Sequence, residues 1–175
     1  MKQIKRNTKI VVIVMAALVV AVGVLAWLNH DNIAQKKTLQ DSDTFLLSAN
    51  GRQHTVTLDD LLSLCPREVT VNAKSSTTDY TKKRFTGVSL TSLLDHLGVD
   101  YSEAESVHFT AIDGYTSAVS IKEALDRENC FIIFEEDGKP LGTKESGGSG
   151  PYRMILAKDE FSQRWCKFLL EITVE

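Results

Sequence analysis

One stretch of this chain shows no alternation of polar and apolar positions. From Ile10 to Leu28 it runs 19 residues without a charged side chain. As a helix the run would be about 28 Å long at ~1.5 Å per residue, close to the ~30 Å hydrocarbon layer of a bilayer. Only a helix satisfies its own backbone there, so residues 10–28 are expected to form a transmembrane signal anchor. A cleaved secretory signal fits less well. The run exceeds the usual ~7–15 apolar residues, and Trp27, Leu28, Asn29 and His30 follow where a small-x-small cleavage site would stand. Lys2, Lys5, Arg6 and Lys9 precede the run, which makes residues 1–9 a cytoplasmic basic tail. The expected location is the cell membrane, single-pass, with everything after the helix extracytoplasmic.

Beyond the anchor the pattern changes twice. Residues 29–43 are polar without periodicity and read as a tether, which leaves residues 44–175 as one extracytoplasmic domain. Phe45–Ala49 and Arg52–Thr57 flank Asn50-Gly51, a strong hairpin signal. Thr57 caps a short helix carrying Asp59 and Asp60 in its first turn, and Pro66 stops it. Glu68–Ala73 alternates like a strand, whereas the polar residues 74–85 are expected to form a surface loop. Leu90, Leu93, Leu94 and Leu97 mark one face of a helix, closed by Gly98, with His96 off that face. Ser106–Ile112 and Tyr115–Val119 pair around Asp113-Gly114, and Ser120 with Glu123 forms a capping box. Phe131–Phe134 has the length and purity of a buried central strand, Asp137-Gly138 turns it, and Tyr152–Leu156 and Trp165–Val174 supply the last apolar segments. Short helices and hairpins in irregular order predict an α+β fold with a mixed β-sheet.

Charge narrows the function. All 23 acidic residues lie after residue 30 together with 16 of the 20 basic ones, so the outer part carries a net −7. Nucleic acid is therefore excluded as an expected partner, because polyanion binding needs concentrated basic surface. The expected partners are the membrane, through Ile10–Leu28, and a small anionic ligand or a surface protein. Cys65, Cys130 and Cys166 allow at most one internal disulfide, and no CxxC or Cys/His cluster suggests zinc.

The chemistry-bearing residues concentrate near the C-terminus. Gly147, Gly148, Ser149 and Gly150 could expose successive backbone N–H groups as a nest for an anion. Tyr152 and Arg153 follow directly, and a guanidinium matches phosphate or carboxylate. The run is neither a Walker loop nor a nucleophile elbow, since Pro151 stands where the second glycine of G-x-S-x-G belongs. Tyr115, after the Asp113-Gly114 turn, is a further candidate for the ligand side. The local basic patch Tyr80, Lys82, Lys83 and Arg84 reads as a solvated loop.

Taken in order, these pieces resemble a known family. Gly87-Val-Ser-Leu-Thr-Ser-Leu-Leu, Asp113-Gly114-Tyr115, Asp137-Gly-Lys-Pro-Leu141, Gly150-Pro-Tyr-Arg153 and the tryptophan before the last strand are similar to the molybdopterin-binding domain of sulfite oxidase-type oxidoreductases. The resemblance covers roughly residues 55–175 and implies a sulfite oxidase molybdopterin-domain-like α+β fold. In catalytic members it also implies a molybdenum–pterin cofactor, its metal held by a cysteine thiolate just after the strand before the G-V-x-L segment. This sequence has Asn72, Ala73 and Lys74 there, and neither alanine nor asparagine supplies a soft thiolate ligand. The expectation is a divergent member with no metal ligands and no catalytic residues, binding a small anionic or pterin-like ligand or a protein partner. Molybdopterin, in an oxidoreductase or its accessory subunit, is the alternative.

Overall fold

The computed structural model describes residue 12 and residues 14–25, 43–75, 78–144 and 146–175. It divides into two units, Met1–Thr38 and Leu39–Glu175. In the first, helix α1 (residues 14–25) is apolar and exposed along its length. The expected span Ile10–Leu28 extends beyond the described residues at both ends. Among the described residues, no helix is long and apolar enough to cross a membrane.

The second unit opens with β1 (Phe45–Ala49) and β2 (Arg52–Val56), joined by Asn50 and Gly51 at φ 51° and 70°. Two successive left-handed residues give the turn whose twist suits a hairpin. Helix α2 (Leu58–Ser63) starts in a complete capping box. Asp60 N donates to Thr57 Oγ1, and the Asp60 carboxylate accepts from Thr57 N at 2.8 Å. Next come β3 (Arg67–Ser75), β4 (Thr78–Ser89) and α3 (Leu90–His96), which is capped by Ser89 and closed by Gly98 at φ 63°. β5 (Ser106–Ala111), β6 (Thr116–Ser120) and the single turn α4 (Ile121–Ala124) follow. The chain ends with β7 (Cys130–Glu136), β8 (Lys139–Pro140), β9 (Arg153–Leu156), a 3-10 turn at Ser162–Arg164 and β10 (Leu169–Val174).

Two five-stranded sheets result, rather than the single mixed sheet expected. One has the order β2-β1-β10-β5-β6, and the other runs β3-β4-β7-β8 with β9 also on β7. The only parallel pairing among the described strands is β1 with β10. The division arises because β9 pairs with β7 while the segment after it turns away. A bridge between Met154 and Cys166 then fastens β9 to the lead-in of β10, in the other sheet. Leu169 N donating to Tyr152 O at 2.9 Å continues that seam.

A second expectation needs correction. Residues 74–85 are not a loop, because Thr78–Ser89 is one long strand paired with β3 from Arg67↔Gly87 to Ser75↔Thr78. Its polarity marks a ribbon with a wet face: Lys82 and Arg84 are exposed, while Phe85 is fully buried. Alternation across a pleat, not absence of structure, produced the polar composition.

The core draws on both sheets and on α3. Leu90, Leu93 and Leu94 are fully buried against β4 and β7, and His96 is exposed. Leu94→Ala is expected to destabilise the protein by about 2–5 kcal/mol, the range for a buried large-to-small change. His96→Ala should stay within about 0.5 kcal/mol. Urea denaturation of both variants checks the assignment, and equal small effects would place the helix face wrongly.

Candidate functional site

The glycine-rich segment does not present the row of free donors expected of it. Gly147 N donates to Lys144 O at 3.1 Å, Gly148 N to Thr143 O at 2.8 Å, Ser149 N to Leu141 O at 3.1 Å and Gly150 N to Gly142 O at 2.9 Å. All four amides are spent inside the loop, so the anion-nest reading of Gly147, Gly148, Ser149 and Gly150 is corrected. The glycines serve close approach instead. A Cβ at Gly148 would lie 2.2 Å from Leu141 O and 2.4 Å from Gly142 O, and one at Gly150 would meet the Leu141 side chain at 2.5 Å. Two strands of the loop can touch only where no side chain intervenes.

Tyr152 and Arg153, neighbours in sequence, leave the loop toward different surroundings, as successive residues of an extended chain must. Tyr152 packs edge-on against Phe45 of β1, with ring centroids 5.0 Å apart, and its hydroxyl donates to Asp43 O at 2.8 Å. Arg153 opens β9 and is only 5% exposed. Its guanidinium carbon lies 4.9 Å from the Trp165 ring and 5.6 Å from the Phe85 ring, and these two rings meet edge-on at 5.9 Å. Such faces attract a cation, yet Arg153 Nε is buried without a hydrogen-bond partner. Burial lowers the pKa of Arg153 to about 10, with Glu136 pulling the other way. A buried guanidinium whose Nε finds no acceptor favours an anion beside it.

Its neighbours do not meet that demand. Glu136 is engaged by Lys83 at 2.5 Å. Lys167 has its pKa lowered by partial burial first, then by Arg153 and Lys83. Lys83 thus holds that carboxylate, and Arg153 and Lys167 feel it only at longer range. Tyr115 reaches the same region from the turn before β6: its hydroxyl donates to Gln163 O at 2.8 Å. Together with Asp113, Trp165 and Lys167 it lines a cleft of about 230 Å³. Arg153 and Tyr115 are thus joined through the Trp165–Lys167 segment; the glycine loop touches the end of that segment, where Phe168 N donates to Ser149 O at 3.0 Å, and the Tyr152 side chain faces β1. Sequence reasoning missed Lys83, Phe85, Glu136, Trp165 and Lys167 as site residues. The only available signal was two-residue alternation, Lys83 with Phe85 and Trp165 with Lys167, which marks a shared face in each segment.

The sequence profile of the oxidoreductase molybdopterin-binding domain family matches residues 34–175. The chain belongs to that family. Among solved structures, the sulfane dehydrogenase SoxCD from Paracoccus pantotrophus has the same fold, with a TM-score of 0.64 at 16% identity. The match covers 77% of this chain but 38% of that one, so this chain spans well under half of that protein chain. Comparison with curated proteins gave no match.

The family's name implies a molybdenum–pterin group, and the donor set here does not fit the metal. Cys130 and Cys166 are 0% exposed. Burial pushes both thiols up, Cys166 to about 12 and Cys130 further, so neither readily yields a thiolate. Cys65 is exposed but precedes β3, about 20 Å of extended strand from the Asn72–Ala73 position. Among the described residues no three His, Cys, Asp or Glu side chains gather to hold a metal. The basic surface around Arg153 does fit the anionic part of such a ligand.

Two outcomes follow from this geometry. Gly148→Ala should cost about 1–3 kcal/mol, since backbone must move to admit the methyl group, and thermal or urea denaturation measures it. Arg153→Met should leave the ligand-free protein unchanged in stability, or raise it by up to about 4 kcal/mol, because a buried charge with an unsatisfied Nε is replaced by an apolar chain of similar length. A loss of about 3–5 kcal/mol would instead show that Arg153 is a paired structural residue.

Proposed function

We propose that this family member is a membrane-anchored, extracytoplasmic binding domain that takes a small anionic or pterin-like ligand at Arg153 and performs no molybdenum chemistry. The observation that carries the reading is the Arg153 guanidinium, 5% exposed between Phe85 and Trp165 with its Nε unpartnered. An arginine kept in this state lacks a structural counter-ion, and a ligand carboxylate or phosphate would complete it. Lys167 and Lys83 add charge at the rim, and the cleft beside Trp165 and Tyr115 offers an aromatic wall for a planar ring. The anchor reading is supported by the uncharged run Ile10–Leu28 and its basic flank.

Family membership favours a second reading, a molybdopterin-dependent oxidoreductase or its accessory subunit. The two differ in metal content. Protein made in a host competent for the molybdenum cofactor is expected to carry no stoichiometric molybdenum by metal analysis. Titration with inorganic phosphate and with a pterin carboxylate should give binding that Arg153→Ala weakens by about 1.5–3 kcal/mol, roughly ten- to a hundredfold. Arg153→Lys should restore it only in part, since lysine lacks the planar fork. About one molybdenum atom per chain would establish the second reading, and an affinity indifferent to Arg153 would remove the first.

A further inference from the structure

A separate groove has the opposite electrical character. It encloses about 400 Å³ between α2 and the walls formed by Phe134, Leu141, Pro151 and Tyr152. Leu58 and Leu62 stand on its rim at 42% and 50% exposure. They are four residues apart on α2 and so share one face, while Leu61 is fully buried on another. Outside α1, only Tyr115 and Phe161 among the described large apolar side chains are comparably exposed. A surface helix ordinarily turns polar residues outward, and two leucines on the rim of one hollow form an apolar patch in want of a cover.

The charged side chains that line this groove are of one sign. Among the described residues, Asp43 and Glu135 line the groove and no lysine or arginine does. Asp59 and Asp60 occupy the first turn of the same helix. The Tyr152 phenol at the groove is pushed up chiefly by burial, then by Asp43, Asp60 and Asp59, which places the field of three aspartates at the hollow. The walls are preformed. Tyr152 is pinned to Asp43 O, and the glycine loop folds onto Leu141 and Gly142 through the amides of Ser149 and Gly150.

We infer that this groove docks a segment of a partner protein that presents a bulky apolar side chain between basic residues. The apolar floor takes the side chain and the carboxylate rim takes the flanking cations, the division of labour of a dry centre and a charged edge. The acidic rim opposes the other covers. Contact with an anionic lipid surface, or with the same face of a second copy, would bring like charges together. The groove shares none of the basic cluster around Arg153, so this inference stands apart from the anion-binding reading.

The test uses the full chain in phosphatidylcholine nanodiscs, one copy per disc, and fluorescence anisotropy with three labelled peptides. One carries two leucines four residues apart between lysines, one has glutamates in place of the lysines, and one has serines in place of the leucines. Only the first is expected to bind. The Leu58→Ser, Leu62→Ser double variant, which changes no charge, should weaken it at least about tenfold, the effect of removing a central apolar anchor. Glu135→Gln should weaken it less and reduce its salt dependence, and Arg153→Met should leave it unchanged. Equal binding of the first peptide to the double variant would overturn the inference, as would equal binding of the glutamate peptide to the unaltered chain. Pairing of discs, or adhesion to phosphatidylserine vesicles, that the double variant abolishes would assign the groove to a second copy or to the membrane instead.

Discussion

The structure depends on the way β9 is fastened from two sides. Its four residues are all buried. They pair with β7 on one edge, and on the other Met154 bridges to Cys166 in the lead-in to β10. This short strand is where the two sheets become one core, and it leaves no exposed edge along which its side chains could relax. Arg153 begins that strand. A guanidinium ordinarily snorkels to water along its aliphatic stem, but here Phe85 and Trp165 close over it. The energetic conflict at the site is therefore a consequence of the seam that holds the fold together.

The same seam explains why adjacent residues serve different places. Tyr152 turns toward β1 and the carboxylate-rimmed groove, while Arg153 turns toward β4 and the basic cluster. The glycine loop packs behind the first of these, its amides bonded to the lining residues Leu141, Gly142 and Thr143. Its sequence looks like a phosphate loop because both need glycine where backbone approaches closely. In a phosphate loop the close neighbour is a ligand, and here it is Leu141 and Gly142. Composition alone cannot tell these apart, since the requirement on Cβ is identical and only the hydrogen-bond partners differ.

Membership of the molybdopterin-binding family and the absence of a suitable thiolate are independent observations about different atoms. The fold is a matter of strand order and core, and position 73 keeps its place in the β3–β4 ladder opposite Thr81 with an alanine there. Function lives in the site placed on a fold, so shared architecture does not by itself fix the chemistry.

Local rules were enough for the elements whose causes are local. Asn50-Gly51, the Thr57 capping box, the Ser120 N-cap, the leucine face of α3 with Gly98, and the unbroken apolar run of β7 are all set by interactions spanning a few residues. The motifs from Gly87 to Trp165 also carried the family, because their order records the order of the strands. Three things were decided only by tertiary structure. Thr78–Ser89 became a strand because β3 and β7 supplied its ladders, which its polar composition could not announce. The split into two sheets followed from where β9 and the Cys166 segment met. The site arose because Lys83, Phe85, Glu136, Arg153, Trp165 and Lys167, scattered over four segments of the chain, were brought together by pairing between distant strands. Short-range sterics and hydrogen bonding are written in neighbouring residues, whereas the burial of a charge is a property of everything that closes over it.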